Sequence, residues 1–311
     1  MRSTTFASEG GRLATKAALA SVSLALVLVA AKAWAAWSTS SSAMLGSLAD
    51  TALDLLASIT TLVGVRIAAL PADRNHRFGH GKAEALVAMA QVMLITISAL
   101  WIFWRAIDRL LAGAETGAME LGIGVSLLAM AGTVALLWYQ RRVIARTGSV
   151  AIKTDNLHYK SDLALNSAVI AALLLDQAAG ISGADALFGI AIALWLLWGA
   201  WRGAAEAVDQ LMDKEWPAEE REAFLAAAAE YPELGGLHDL RTRRSGLLRF
   251  VQFHVWVPAD WTVRHAHDML DPVEEKLQAR FPGTEILIHV DPEGQTDRET
   301  LLPGSITERP D

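Results

Sequence analysis

Residues 85–104 read ALVAMAQVMLITISALWIFW, twenty positions without a charged side chain. Crossing the hydrocarbon core of a bilayer takes about 20 mainly apolar residues in a helix. The pattern recurs along the chain. Residues 17–31 carry no charge, and beyond Lys32 none appears until Asp50. Leu121–Gln140 and Ala186–Trp201 are uncharged as well. The spacing predicts six spans, at about 15–37, 43–66, 83–105, 119–140, 149–176 and 181–205. A set of buried soluble helices is the alternative. So many long apolar segments in so short a stretch weigh against it.

Composition narrows the class. The chain has 311 residues, 53% hydrophobic and 20% charged, with a mean hydropathy of +0.30. Disorder over most of its length is excluded, because disorder needs low hydrophobicity. There is no Cys, which excludes a disulfide scaffold and thiolate-ligated zinc or iron–sulfur sites. A net charge of −7 speaks against a nucleic-acid partner, which selects clustered positive charge. Lys16 followed by an apolar, Ala-rich run up to Trp37 has features of a signal peptide. The same pattern continues straight into further spans, so the first span reads as a retained helix.

Basic residues set the expected topology. Arg2, Arg12 and Lys16 precede span 1; Arg66, Arg74, Arg77 and Lys82 lie between spans 2 and 3. Arg141, Arg142, Arg146 and Lys153 lie between spans 4 and 5. The connections at 38–42 and 177–184 have no Lys or Arg. The positive-inside rule then puts both termini in the cytoplasm, with Arg105 and Arg109 as outnumbered exceptions. Trp34, Trp37, Trp101, Trp104, Trp198 and Trp201 sit near predicted span ends, as an aromatic belt would.

Past about residue 210 the chain turns charged. Pro217–Tyr231 reads as a helix, Leu237–Arg243 and Leu248–Val257 as strands, Val263–Phe281 as a helix and Glu285–Asp291 as a strand. Ser245-Gly246 marks the turn between the first two strands. The expectation is a polytopic α-helical membrane protein with a C-terminal αββαβ domain. Its parts are an N-terminal segment 1–14, a six-helix domain 15–209, an α/β domain 210–291, and a polar, disordered tail 292–311.

Four polar residues fall where polarity is costly. Span 2 carries Asp50 and Asp54, and span 5 carries His158 and Asp162. Each pair is spaced i, i+4 and projects from one helix face. Ionisable residues inside a bilayer usually mark an ion or proton path. A single such Asp is as readily interfacial or paired structurally with Lys160 or Arg66; two matched pairs make that reading the lesser one. Three carboxylates and an imidazole form a tetrahedral N/O set that suits Zn²⁺, whereas an all-oxygen set suits harder cations. Such ligands bind metal only when deprotonated, so metal and H⁺ compete for one site. His158 titrates near neutral pH when unperturbed. A site taking either ion is the core of an antiporter.

Two other groups have ligand spacing. Asp73, His76 and His80 lie in the loop Pro71-Ala-Asp-Arg-Asn-His-Arg-Phe-Gly-His-Gly-Lys-Ala-Glu84, where on these residues alone a solvated loop or a cap for span 3 is slightly favoured over metal binding. The C-terminal domain holds His238, His254, His265, His267 and His289. Strand alternation puts His289 with Asp291, and His254 with Gln252 and Trp256, opposite an apolar face of Val251, Phe253, Val255 and Val257. His238 opens the first strand, and His265 or His267 can join from the helix start. Regulatory metal binding is favoured over a polar face of unpaired His.

Asp50-x-x-x-Asp54, the loop 71–84, His158-Tyr-Lys-Ser-Asp162 and His238-Asp-Leu-Arg-Thr-Arg-Arg-Ser-Gly246 together resemble the cation diffusion facilitator family, and within it the bacterial zinc/iron efflux pumps. The four motifs occur in the family's order and the likeness runs from span 1 to Asp291. The resemblance implies a homodimer in the bacterial inner membrane, with six spans and a metallochaperone-like, ferredoxin-like cytoplasmic domain per subunit. It implies export of a divalent metal, Zn²⁺ foremost with Cd²⁺ or Fe²⁺ also compatible, coupled to proton entry. Asp50, Asp54, His158 and Asp162 would form the transport site, and Asp73, His76 and His80 a loop site. His238, His254, His267, His289 and Asp291 would form a regulatory zinc site at the cytoplasmic dimer interface, and Lys82 with Asp213 an interdomain salt bridge. Arg74 departs from the pattern, standing where a second acid often follows Asp73, and would lower the loop site's affinity. A channel or uptake carrier without proton coupling, or a membrane-anchored metal sensor, are the rival readings. An intramembrane metalloprotease ranks last, since no H-E-x-x-H occurs.

Overall fold

The computed structural model describes residues 2–39, 42–112, 123–179 and 184–294. The chain divides into two compact units, one of residues 10–208, the other of residues 209–311 with 1–9. The first holds all or most of six long helices: α1 (Arg2–Thr39), α2 (Ser42–Ala68), α3 (Ala83–Ala112), α4 (Ile123–Thr147), α5 (Val150–Ala179) and α6 (Ala184–Leu211). Each predicted span lies on one of them. The starts of the fourth and sixth, at 119–122 and 181–183, lie outside the described residues. Among the described residues α1, α2, α3 and α6 are long and apolar enough to cross a membrane. Lys153, Asp155, Lys160 and Asp162 lower the hydropathy of α5.

Packing in this unit relies on small side chains. Ala14, Ala17 and Ala18 of α1 meet Leu62 and Val65 of α2, Val143 of α4, and Ala151 and Ile152 of α5. Val92, Ile95 and Ala99 of α3 meet Leu196 and Ala200 of α6. Small residues let helix backbones approach where lipid offers no hydrophobic drive. At Gly64 a Cβ would stand 2.3 Å from a methyl carbon of Val87, so α2 and α3 meet too closely for any side chain there. Trp34, Trp37, Trp101, Trp104, Trp198 and Trp201 are all exposed on the protein, as residues of an interfacial belt would be.

Polar atoms converge inside the same unit. Asp155 of α5 is fully buried. Its Oδ2 accepts from Ser21 Oγ of α1 at 2.7 Å and from Gln140 Nε2 of α4 at 2.7 Å. Its Oδ1 accepts from Gln91 Nε2 of α3 at 3.4 Å and from Thr61 Oγ1 of α2 at 3.5 Å. The Tyr159 hydroxyl, one turn on, donates to the Ser21 carbonyl at 3.1 Å and lies 2.9 Å from Ser58 Oγ. A second buried acid, Glu84 in the first turn of α3, accepts from the Ser149 hydroxyl and from the backbone N–H groups of Val150 and Ala151. It thereby satisfies donors that a helix start leaves open, and tethers the start of α5 to the start of α3.

The second unit follows the expected αββαβ order. After α7 (Ala218–Ala228) and a 3-10 turn at Pro232–Leu234 come β1 (His238–Ser245), β2 (Leu248–Val257), α8 (Val263–Arg280) and β3 (Thr284–Pro292). β2 is central, antiparallel to β1 and parallel to β3. Residues 295–311, most of the expected disordered tail, lie outside the described residues. Phe224 of α7 packs with Val251, Phe253 and Val255 of β2, Leu270, Val273 and Leu277 of α8, and Ile286 of β3. Both helices thus cover one face of the sheet and leave the other open. Phe224 touches Phe253 and Phe281, with ring centroids 5.9 and 5.3 Å apart. Truncating a fully buried Phe removes its burial energy and leaves a cavity. Phe224→Ala should therefore cost this unit about 3–5 kcal/mol. Amide hydrogen exchange of the full-length protein should show it as faster exchange along β2.

Candidate functional site

Three clusters of potential ligands occur among the described residues, two in the first unit and one on the open face of the sheet. The first joins α2 to α5. His158 Nε2 lies 3.1 Å from Asp54 Oδ1 and 3.9 Å from Asp162 Oδ2. One donor atom from each of the three residues lies within 4.8 Å of the others, and all three are half-buried. Asp50, one turn before Asp54, is exposed and outside this group. The helical spacing explains the convergence. Asp155, His158, Tyr159 and Asp162 stand at i, i+3, i+4 and i+7, a single stripe of α5 that faces the bundle.

The loop between α2 and α3 brings Asp73, His76 and His80 together. Asp73 Oδ1 accepts the backbone N–H groups of His76 at 2.7 Å and Asn75 at 2.8 Å. These bonds, the one from His76 first, hold the Asp73 carboxyl below the usual carboxylate range. His80 Nδ1 lies 3.2 Å from the Pro71 carbonyl, so the network assigns the proton to Nδ1. The lone pair of Nε2 is then turned toward Asp73 Oδ2 at 3.4 Å, acceptor against acceptor. His76 Nδ1 stands 3.4 Å from Asp73 Oδ1. A proton or a cation between these atoms relieves the repulsion.

The sheet cluster is built by strand register. His238, His254 and His289 are direct cross-strand partners, one from each strand. Asp291 joins them: its Oδ2 lies 2.8 Å from His254 Nδ1 and 3.3 Å from His238 Nε2, and its Oδ1 3.4 Å from His289 Nε2. Plain alternation would turn His238 toward the core with Leu240 and Thr242. An irregularity between His238 and Arg241 prevents this. Two residues of β1 there oppose one of β2, as in a β-bulge, and Asp239 takes φ +49°. The bulge turns His238 onto the open face. His238 Nδ1 lies 2.8 Å from the Gly236 carbonyl, and the buried Nε2 makes no hydrogen bond among the described residues. A ring nitrogen tied to a backbone carbonyl with its partner nitrogen left bare is how metal-binding His is commonly held. Gly236 has φ +64°, and a Cβ there would stand 2.4 Å from the Trp256 ring, so the turn feeding β1 requires glycine.

Some expected members stand apart. His267 is exposed on α8, where its Nδ1 lies 3.9 Å from Asp271 Oδ1, and it joins none of these groups. His265 packs edge-on against Trp261, with ring centroids 4.5 Å apart. Lys82 and Asp213 belong to different units; within its own, Asp213 lies 3.5 Å from Arg243. Three acids escaped the sequence reading. Asp239 shares a potential ligand group with His238 and His254, and Asp155 and Glu84 hold α5. The available signal was a polar residue in almost every apolar run: Ser21, Thr61, Gln91 and Gln140.

Comparison with known proteins agrees with this organisation. Residues 18–212 match the cation efflux transmembrane domain, and residues 216–293 match the cytoplasmic domain of cation efflux proteins. The cation-efflux pump FieF of Cronobacter sakazakii is 42% identical over 282 residues, which cover 91% of this chain and 94% of that protein. FieF of Klebsiella pneumoniae subsp. pneumoniae has the same identity and coverage, 42% over 282 residues, 91% and 94%. FieF of Escherichia fergusonii is 41% identical over 289 residues, covering 93% of this chain and 96% of the relative. The chain belongs to the cation efflux family, the cation diffusion facilitators, as a multi-pass membrane transporter.

Proposed function

We propose that this protein exports divalent metal cations from the cytoplasm in exchange for protons, with Zn²⁺ as the principal substrate and Cd²⁺ or Fe²⁺ as further ones. The observation carrying this reading is the meeting of Asp54, His158 and Asp162 within the helical unit. Asp50 completes the set from the exposed side, one turn up the same face of α2. One imidazole and three carboxylates favour Zn²⁺ and its neighbours over Mg²⁺ or Ca²⁺. The excess negative charge lets protons replace the departing metal. Uptake from the cytoplasm releases protons inward; after the bundle opens outward, external protons take His158 and one carboxylate, and the metal leaves.

The remaining clusters serve regulation in this reading. Asp73, His76 and His80 form a loop site, with Arg74 beside it reducing its pull on a cation. His238, His254, His289 and Asp291 form a regulatory zinc site on the open sheet face. His267 joins them at the interface of a homodimer, and Lys82 with Asp213 links the membrane and cytoplasmic parts. Metal there favours one conformation only if it binds the two conformations with different affinity. Both termini face the cytoplasm of a bacterial inner membrane, the helical domain spans 15–209 and the cytoplasmic domain 210–291.

Three measurements test the reading. In proteoliposomes, Asp54→Ala should abolish Zn²⁺ flux while leaving helical content unchanged; normal flux removes the transport-site assignment. An imposed pH gradient, acidic on the receiving side, should accelerate export by the unaltered protein; a carrier without proton coupling ignores it. His289→Ala should weaken Zn²⁺-dependent association of the full-length protein in sedimentation experiments, and an unchanged metal response contradicts the regulatory site.

A further inference from the structure

We propose that Asp155, which no step of the transport cycle uses, is the positioning residue of the transport site. It fixes the rotation of α5 by hydrogen bonding, so that His158 faces Asp54. The proposal rests on the transport reading of Asp54, His158 and Asp162.

A fully buried carboxylate that only structure required would be a costly choice in a membrane bundle, where an apolar residue packs without desolvation. Asp155 has four donors, one from each of α1, α2, α3 and α4. No other described side chain in the unit bonds to so many helices. Its donors have little freedom. Asn156 Nδ2 donates to Gln140 Oε1 at 2.9 Å, which obliges the amide nitrogen of Gln140 to face Asp155. Gln140 Nε2 also lies 3.0 Å from Ser21 Oγ, closing a ring of bonds among α1, α4 and α5. Tyr159 pins the next turn to α1 and α2. His158 lies between these two anchors, three residues after one and directly before the other. A helix held at Asp155 and Tyr159 cannot roll His158 away from α2.

The bond inventory also says which property of Asp155 matters. On the Oδ2 side both partners are donors, so an acceptor is required. On the Oδ1 side Gln91 Oε1 is buried and makes no hydrogen bond among the described residues, and Thr61 Oγ1 can accept as well as donate. An Asn at 155 with its oxygen toward Ser21 and Gln140 places its NH₂ toward Thr61 and a flipped Gln91. Each of the four contacts to residue 155 then pairs a donor with an acceptor without the charge.

Zn²⁺ flux into proteoliposomes, fitted for half-saturating concentration and maximal rate, tests this with the full-length protein. Removing groups that orient metal ligands typically costs about 10- to 100-fold in affinity. Asp155→Leu should raise the half-saturating Zn²⁺ concentration by that factor, whereas Asp155→Asn should stay within about threefold of the unaltered protein. Unchanged half-saturation in D155L overturns the proposal. D155N as impaired as D155L also overturns it, since charge rather than bonding geometry is then what the site needs. If D155L does not fold, Gln140→Leu removes the α4 donor together with its bonds to Ser21 and Asn156: a several-fold rise is expected, and no change overturns the proposal. His158→Ala, run alongside, separates the two failures. Full flux in H158A sinks the transport reading itself, while its loss together with normal D155L sinks only the role of Asp155.

Discussion

Inside hydrocarbon a polar side chain must find its partners within the protein, because no water reaches it. This constraint orders the helical unit. Each of α1 to α4 sends one polar residue toward Asp155 on α5, and the stripe that carries Asp155 also carries His158 and Asp162. Hydrophobic packing alone leaves helices free to slide and rotate, since lipid competes for apolar faces. Directional bonds to one carboxylate remove that freedom. Glu84 adds a second constraint at the N-terminal end of α5. The helix with the most polar face is therefore the one most firmly placed.

In the sheet unit the order of causes differs. A core of Phe224, Phe253, Leu277 and their neighbours fixes one face, and the other face stays open because no helix of the unit covers it. Parallel and antiparallel register then bring one His from each strand into a single row, with Asp291 as the shared carboxylate. Here the ligands are aligned by backbone pairing, whereas between α2 and α5 they are aligned by side-chain bonding within the bundle.

Much of this was legible in the sequence. The uncharged run at 85–104 gave a helix, and of the i, i+4 pairs Asp50–Asp54 and His158–Asp162 all but Asp50 meet. The odd-numbered apolar face of β2 was readable from alternation alone. Three things were hidden, each for a physical reason. Hydropathy averages over a helix and so cannot say that the polar residues of α5 share an inward stripe. The hub at Asp155 depends on which helices are neighbours, a property of tertiary packing that spacing within one segment does not contain. The bulge at Asp239 carries no Gly or Pro to announce it, so alternation mis-assigns the face of His238. His267 lies 3.9 Å from Asp271 and joins no three-residue ligand group among the described residues, and its proposed role needs a second subunit.

That bulge absorbs one residue of chain length without displacing the ligand that precedes it. The ladder from Arg241 to Ser245 and the core beneath it depend on residues after the irregularity, and the ligand depends on a residue before it. Loss of a single codon at the bulge would restore regular alternation and still leave the His238 position opposite His254, because the pairing that starts at Arg241 and Gln252 would then run on unbroken. The spare position can thus come and go without moving the ligand, and what it adds is a further carboxylate, Asp239, beside His238 and His254.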